Sequence, residues 1–548
     1  MKTTYRASKV ITLVVACLGF FMVLLDTSIV NVALPTIQAD LHAHLSDLQW
    51  VVDAYTLPFA ALLLTAGTLG DRYGRKRFFL AGLVLFLLGS TLCGFAKSLD
   101  WFLIGRVVQG VGGAALSPGS LSVLVAAFPE PRERTQVIGI WSGISGLALA
   151  AGPLVGGLLI QFSSWPAIFF VNLPVGLLAL ALGWPRLSES RNPAAQRIDL
   201  PGQVLVIAGL TCLITVLIEG SSQGWTSPLL LSLFIGAAMF LATFLLVEAR
   251  VREPLLPLRL FANRVFLVAN VAGLIAGFAL LGTVFFISQY FQAVQGYTAL
   301  ESGLRTLPTT MGIFIVAPLA GMLAARLSPR LPVVLGALLS GSALLLLTRL
   351  EPATSYASIW WDLGMLGIGF GLMLSPLTAA VLSATPSTRA GLGSSMINTS
   401  RQVGSTLGVA VLGAVVVQQF AGNIVSHLTQ LGIPLPTSET IAGKIASAGA
   451  QASQVSLQSR LPFSATVLHQ AIGQGFVDAL HESFVISGTG LFIAALLVAF
   501  LLQDTRRSLS TSVELADPQV TTGAIIISQA ASVIEVESCV LLERGEQA

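Results

Sequence analysis

Of the 548 residues, 54% are hydrophobic and only 10% are charged, against about 25% charged in a soluble globular protein. A chain this long and this apolar can bury its surface only in lipid, which excludes a soluble enzyme. The net charge of +3 includes no basic block resembling a nucleic-acid patch.

The first apolar run follows Lys2, Arg6 and Lys9. It is too long for a signal peptide, lacks a small-residue cleavage site and contains Asp26, so it reads as an uncleaved first span. A helix needs roughly 20 residues to cross about 30 Å of hydrocarbon. Successive runs at 10–35, 48–69, 77–96, 101–127, 136–161, 166–185, 200–219, 228–247, 263–292, 302–325, 331–348, 358–384, 391–421 and 480–503 meet that need. Fourteen spans put both termini on one side. With the N-terminus inside, cytoplasmic segments hold 22 of the 29 Lys and Arg, and the outer loops hold Lys97, Arg349, Lys444 and Arg460. That asymmetry predicts that both termini lie in the cytoplasm. Arg106, Arg305 and Arg401 lie within spans. All five histidines, His42, His44, His427, His469 and His481, fall on the outer side, where they read as solvated loop residues, with a pH-sensing role as the alternative. Residues 422–479 read as a long outer loop with room for short interfacial helices, and residues 504–548 as a mobile cytoplasmic tail. Cys17, Cys93, Cys212 and Cys539 show no paired spacing, so neither a disulfide framework nor a metal site is expected.

Spans one to six and nine to fourteen read as two copies of one unit, separated by spans seven and eight. G-T-L-G-D-R-Y-G-R-K-R (Gly67–Arg77) joins spans two and three, and G-M-L-A-A-R-L-S-P-R (Gly321–Arg330) joins spans ten and eleven. Ser117-Pro118 recurs as Ser375-Pro376. Such repeats build secondary transporters in which two bundles rock about a midplane site. The units are 1–185, an inserted pair with its linkers at 186–262, a second bundle at 263–503, and the tail.

Several residues carry chemistry within these spans. Asp26 lies well inside span one, where a charged carboxylate costs at least about 2.5–3.5 kcal/mol. It avoids that cost by protonating, by pairing or by facing a water-filled cavity. Asp53 lies about five residues into span two, either hydrated at the interface or part of the coupling machinery. Arg106, at comparable depth in span four, cannot usefully release its proton; it either eases proton release from a nearby carboxylate or forms a structural ion pair. In the loop, Asp71 is placed to meet the positive end of a helix or an arginine, forming a latch with Gly67, Arg72, Gly74 and Arg75. Span five carries Gly143, Gly152, Pro153, Gly156 and Gly157; its small residues at Gly139, Gly143 and Gly146 read as a packing face, and Pro153 as a bend.

The loop pattern resembles the signature loop of the major facilitator superfamily, and the span-five pattern resembles the antiporter motif of proton-driven exporters. With D-T-S-I-V-N-V-A-L-P, W-V-V-D-A-Y-T-L, R-E-P-L-L-P-L-R-L-F-A-N-R-V-F and N-T-S-R-Q-V-G-S-T-L-G, the chain is identified as resembling the fourteen-helix drug:proton antiporter family, the EmrB/QacA type. That resemblance implies an all-α major facilitator fold: two six-helix bundles plus two extra central helices. It implies proton-driven efflux of small lipophilic, often cationic, drugs, dyes or antibiotics, with Asp26, Asp53 and Arg106 in coupling or substrate roles. Asn31, Tyr55, Gln109, Asn398 and Arg401 are candidate cavity-lining residues. It implies no cofactor beyond the proton gradient, no enzymatic step, and protons, substrate and lipid as partners of a monomer. Span ten lacks the acid, and span thirteen carries Arg401 in place of the acid, that some relatives use for dicationic substrates. The alternatives are a dedicated exporter of an endogenous antibiotic or metabolite, and a solute importer or facilitator.

Overall fold

Helix boundaries follow local punctuation in the chain. α1 (Lys2–Leu41) ends just before His42, which has φ 52°. α2 (Leu45–Tyr73) starts where the Asp47 carboxylate accepts a hydrogen bond from the His44 backbone N–H at 2.7 Å, an N-terminal capping contact. It ends at Gly74, whose φ of 116° is a conformation open to glycine and strained for other residues. α3 (Arg75–Gly94), α4 (Leu99–Ala127) and α5 (Pro131–Phe162) follow; α5 opens on a proline at its first turn, where no N–H partner is lost. α6 (Ala167–Phe170) and α7 (Asn172–Arg186) together make the sixth span. α8 (Leu200–Gln223), capped by Asp199, and α9 (Pro228–Glu248) form the inserted pair. After the short α10 (Leu258–Phe261) come α11 (Arg264–Gln289), which runs on as a wider π-type turn over Tyr290–Val294, then α12 (Ala299–Arg326), α13 (Arg330–Leu347), α14 (Tyr356–Ser383), α15 (Ala390–Gln430) and α16 (Ala465–Leu501).

This computed structural model describes residues 2–191, 199–251, 253–256, 258–326, 328–385, 390–430, 435 and 465–502. The described elements belong to one compact unit, Met1–Leu502, and all are helical. Twelve helices among them are long and apolar enough to cross a membrane. α2 and α5 cover the two other expected spans as helices of 29 and 32 residues, which is compatible with fourteen. The expected tail, 504–548, lies outside the described residues.

The segment expected to be an outer loop, 422–479, is partly helix. α15 continues to Gln430 and α16 already begins at Ala465. Polar ties hold these extensions together: His427 Nε2 lies 2.7 Å from Asp478 Oδ2, and Asn423 Nδ2 donates to the Gly475 carbonyl at 3.4 Å. Low apolar content here does not prevent helix, because the two extensions satisfy each other's polar groups. Residues 431–434 and 436–464 lie outside the described residues.

The duplication is visible as packing. In the first half α3 and α2 pack on α4, α1 on α5 and α7; in the second, α13 and α12 pack on α14, α11 on α15 and α16. Gly67 faces Pro118 and Gly321 faces Ser375, so the repeated loop glycine approaches the repeated Ser-Pro pair in both halves. The halves meet along two seams, α5 against α12 and α2 against α15. α8 lies against both α2 and α15. α9, its partner, leaves Leu229, Leu231, Phe234, Ile235, Met239 and Leu246 exposed, as a lipid-facing helix does.

Candidate functional site

Asp26, halfway along α1, is fully enclosed within the first half. Its Oδ2 accepts a hydrogen bond from Arg106 Nη1 at 2.6 Å, and its Oδ1 accepts one from Gln109 Nε2 at 2.7 Å. Arg106 also donates to Gln109 Oε1 at 2.8 Å and, through Nε, to the Val51 carbonyl at 3.0 Å. Its guanidinium lies 4.5 Å from the centre of the Tyr55 ring, a cation–π contact. Gln109 continues the network to Ser90 Oγ at 2.9 Å, which accepts from Asn172 Nδ2 at 3.2 Å. Gly89 permits the Gln109–Ser90 link: a Cβ there would strike the Gln109 backbone, so only glycine lets α3 and α4 close together. A charge this deep persists only when paired and hydrogen-bonded, and this box supplies both.

Tyr55 and Gln109, expected to line a cavity, are enclosed: Tyr55 donates to the Val23 carbonyl at 3.2 Å and Gln109 turns inward to Asp26. The reason is electrostatic, since the buried pair draws the nearest neutral donors and acceptors around itself. Asp26 and Arg106 are brought together; Asp53 is not part of their network.

Asp53 belongs to the α2–α15 seam. It has no exposed surface. Its Oδ1 accepts from Thr56 Oγ1 at 2.9 Å, while Oδ2 has no hydrogen-bond partner. Thr56 Oγ1 lies 2.9 Å from Thr406 Oγ1 of α15, and Thr406 lies 3.1 Å from the Gln402 carbonyl. Among the described residues no lysine or arginine pairs with Asp53. Asn31 is buried where α1 meets α11 of the other half; its backbone carbonyl accepts from Ser288 Oγ at 2.8 Å. Asn398 and Arg401 are half-buried on α15. Arg401 Nη2 donates to Asn398 Oδ1 at 2.8 Å and to Thr378 Oγ1 at 3.1 Å, and its Nε has no partner.

The span-five glycines are contact points. A Cβ on Gly152 would overlap the Ser28 hydroxyl, and one on Gly156 would fall 2.7 Å from Ile29 Cγ1, so this face of α5 lies directly on α1. Gly157 faces Leu300, and Gly303 of α12 faces Pro153, closing the α5–α12 seam. Gly143 lies within α5. In the loop, the Asp71 side chain lies outside what is described, Arg72 is exposed, and Gly67 lies where a Cβ would be 4.0 Å from Ser395 Oγ of α15. The positive end of α3 is met by Glu189, a residue sequence reasoning missed. Its carboxylate accepts from the Lys76 and Arg77 backbone N–H groups at 3.1 and 3.2 Å, and Arg75 N–H donates to the Ser190 carbonyl at 2.9 Å. Its only sequence signal is an acid shortly after span six.

Known proteins share this architecture. The Major Facilitator Superfamily model matches residues 16–409. "Multidrug resistance protein Stp" of Mycobacterium tuberculosis is 39% identical over 80% of this chain and 81% of its own. "Tetracenomycin C resistance and export protein" of Streptomyces glaucescens is 34% identical over 89% and 91%. "Methylenomycin A resistance protein" of Streptomyces coelicolor is 38% identical over 72% and 83%. In fold, the chain is similar to a bacterial homolog of the human lysosomal transporter Spinster, with a TM-score of 0.60 at 18% identity, covering 90% of this chain and 98% of that one.

Proposed function

This chain belongs to the major facilitator superfamily, and from that membership we propose that it is a proton-driven exporter of small lipophilic drugs, dyes or antibiotics, cationic ones among them. It works from the cytoplasmic membrane as a fourteen-span monomer with both termini in the cytoplasm. It carries its substrate without altering it and needs no bound cofactor. The observation that carries the proton coupling is Asp53: a buried carboxyl at the boundary of the halves, with one oxygen unpartnered and, among the described residues, no lysine or arginine paired with it. Asp26 is balanced by Arg106 at 2.6 Å, so its part is to hold the first bundle together around a fixed charge pair. Each proton moved inward through 100 mV releases about 2.3 kcal/mol, which the rocking of one half against the other turns into outward transport. Arg401, half-buried on α15, offers acceptor-bearing substrates a contact.

The test uses everted membrane vesicles and a fluorescent dye substrate such as ethidium. Energised vesicles accumulate the dye and lose it when a protonophore is added. Asp53→Asn abolishes gradient-driven accumulation while dye-for-dye exchange continues. ATP-dependent uptake that survives the protonophore, or full gradient-driven uptake by Asp53→Asn, overturns the reading. The 34% identity to a protein named for tetracenomycin C resistance and export favours, as a second reading, export of one endogenous antibiotic. A substrate panel in which a single compound is transported supports that narrower role.

A further inference from the structure

We propose that Thr406 of α15, acting through Thr56, reads the protonation state of Asp53 across the boundary between the two halves and blocks the empty carrier from opening. The proposal rests on Asp53 as the proton carrier. Three oxygens stand in line: Asp53 Oδ1 to Thr56 Oγ1 is 2.9 Å, and Thr56 Oγ1 to Thr406 Oγ1 is 2.9 Å. The Gln402 carbonyl, 3.1 Å beyond Thr406, ends the line. Thr56 is 1% exposed and Thr406 2% exposed, so water does not compete for these bonds.

A hydroxyl has one proton to give and two lone pairs to receive. When Asp53 is ionised it can only accept, so Thr56 donates to it. Thr56 is then an acceptor toward Thr406, and the Thr406 proton must point at Thr56, away from Gln402. The Thr56–Asp53 bond is charge-assisted, the stronger kind, and it polarises the Thr406–Thr56 bond behind it. When Asp53 is protonated through Oδ1 the line reverses. Asp53 donates to Thr56, Thr56 to Thr406, and Thr406 to the Gln402 carbonyl on its own helix. The bond between helices loses that polarisation, and either hydroxyl can bond within its own helix instead, as threonine commonly does. Parting α2 from α15 therefore costs more with Asp53 ionised than with it protonated.

The other charged groups on elements packed against α2 do not substitute for this line. Asp26 of α1 and Arg106 of α4 bind each other at 2.6 Å. Glu219 of α8 accepts from Trp50 Nε1 at 3.1 Å, and Arg401 of α15 bonds Asn398 and Thr378. Arg75, Lys76 and Arg77 of α3 lie at the far, Gly74 end of α2. An antiporter must suppress one transition above all: opening with neither proton nor substrate aboard, which wastes the gradient. The ionised, empty state is the one in which the hydroxyl line grips hardest.

The experiment is proton leak in substrate-free proteoliposomes holding a pH gradient and an internal pH dye, set beside dye-for-dye exchange in the same preparations. In Thr406→Val the leak rises roughly tenfold, about 1.4 kcal/mol off the barrier, while exchange continues. Thr406→Ser restores the tight carrier, and Thr56→Val leaks as Thr406→Val does. Asp53→Asn neither leaks nor couples. Leak unchanged in both valine variants, or exchange and gradient-driven transport falling together without leak, overturns the relay. Normal coupling in Asp53→Asn instead removes the reading of Asp53 beneath it.

Discussion

The Asp26–Arg106 pair makes an asymmetric prediction about pH. Both side chains are at most 1% exposed and meet at 2.6 Å. Breaking a buried pair by removing one partner typically costs about 3–5 kcal/mol, because the survivor is left charged and uncompensated. The two survivors differ in what they can do next. In Arg106→Met the remaining carboxyl can take up a proton. Protonation removes the uncompensated buried charge that the loss of Arg106 leaves behind. Stability therefore rises as pH falls, and acidification recovers part of the loss. In Asp26→Asn the guanidinium cannot shed its charge, and the loss is the same across the accessible pH range. That loss is smaller at neutral pH, because the Val51 carbonyl, Gln109 and the Tyr55 ring still hold Arg106. The double variant Asp26→Asn/Arg106→Met costs less than the sum, since it leaves no buried charge. The measurement is a double-mutant cycle on equilibrium unfolding in mixed micelles, repeated between pH 5 and 8. Additivity within about 0.5 kcal/mol, or an Arg106→Met variant indifferent to pH, would refute the argument.

Two further predictions concern close contacts. Gly157→Ala slows transport severalfold or blocks assembly, because the new methyl meets the Leu300 backbone, whereas Gly422→Ala is silent, with nothing within 4 Å; equal activity of the two in vesicles would disprove the seam. Glu189→Gln removes the charge at the start of α3, where helix-terminus interactions are worth about 0.3–1 kcal/mol, so turnover changes by roughly twofold to fivefold with dye affinity unaltered. Steady-state kinetics with separate equilibrium dye binding check this, and a selective loss of affinity would argue against a conformational role.

Much of the fold was legible because its signals are covalently local. Apolar runs of the right length, the loop glycines and the Ser-Pro repeats are patterns along the chain, and Gly67–Pro118 with Gly321–Ser375 are their spatial counterpart. The site was legible only in part. Asp26 and Arg106 stand out because charges within spans are rare, but the depth of Arg106 matched that of Asp53, so which carboxylate it meets was not readable. Gln109, Ser90 and Asn172, which complete the box, are neutral residues of a kind common in spans, and nothing in their spacing points at Asp26. Asp53 showed its charge but not the helix it faces. Thr56 and Thr406 are 350 residues apart, and a threonine in a membrane helix most often bonds its own backbone. Glu189 was invisible for the opposite reason, being one more charge in a charged loop. The ends of α15 and α16 escaped notice because span-finding weighs apolarity, and those extensions pair through His427, Asn423 and Asp478.

The inserted hairpin is fastened unevenly. Near one end of α8, Glu219 accepts from Trp50; near the other, Gln203 donates to the Ala61 carbonyl at 2.9 Å and bonds Thr65, so both ends are tied by polar bonds to α2. Against α15 the same helix presents Ile214, Leu217 and Ile218 to Val403, Leu407 and Ala410. Hydrogen bonds hold a register, while aliphatic surfaces tolerate sliding. α8 is thus riveted to one bundle and greased against the other, a skirting that travels with the first half. Whatever angle the two halves adopt, that flank of the α2–α15 seam stays shuttered from lipid, and the opposite seam, along α5 and α12, has no such cover from the hairpin.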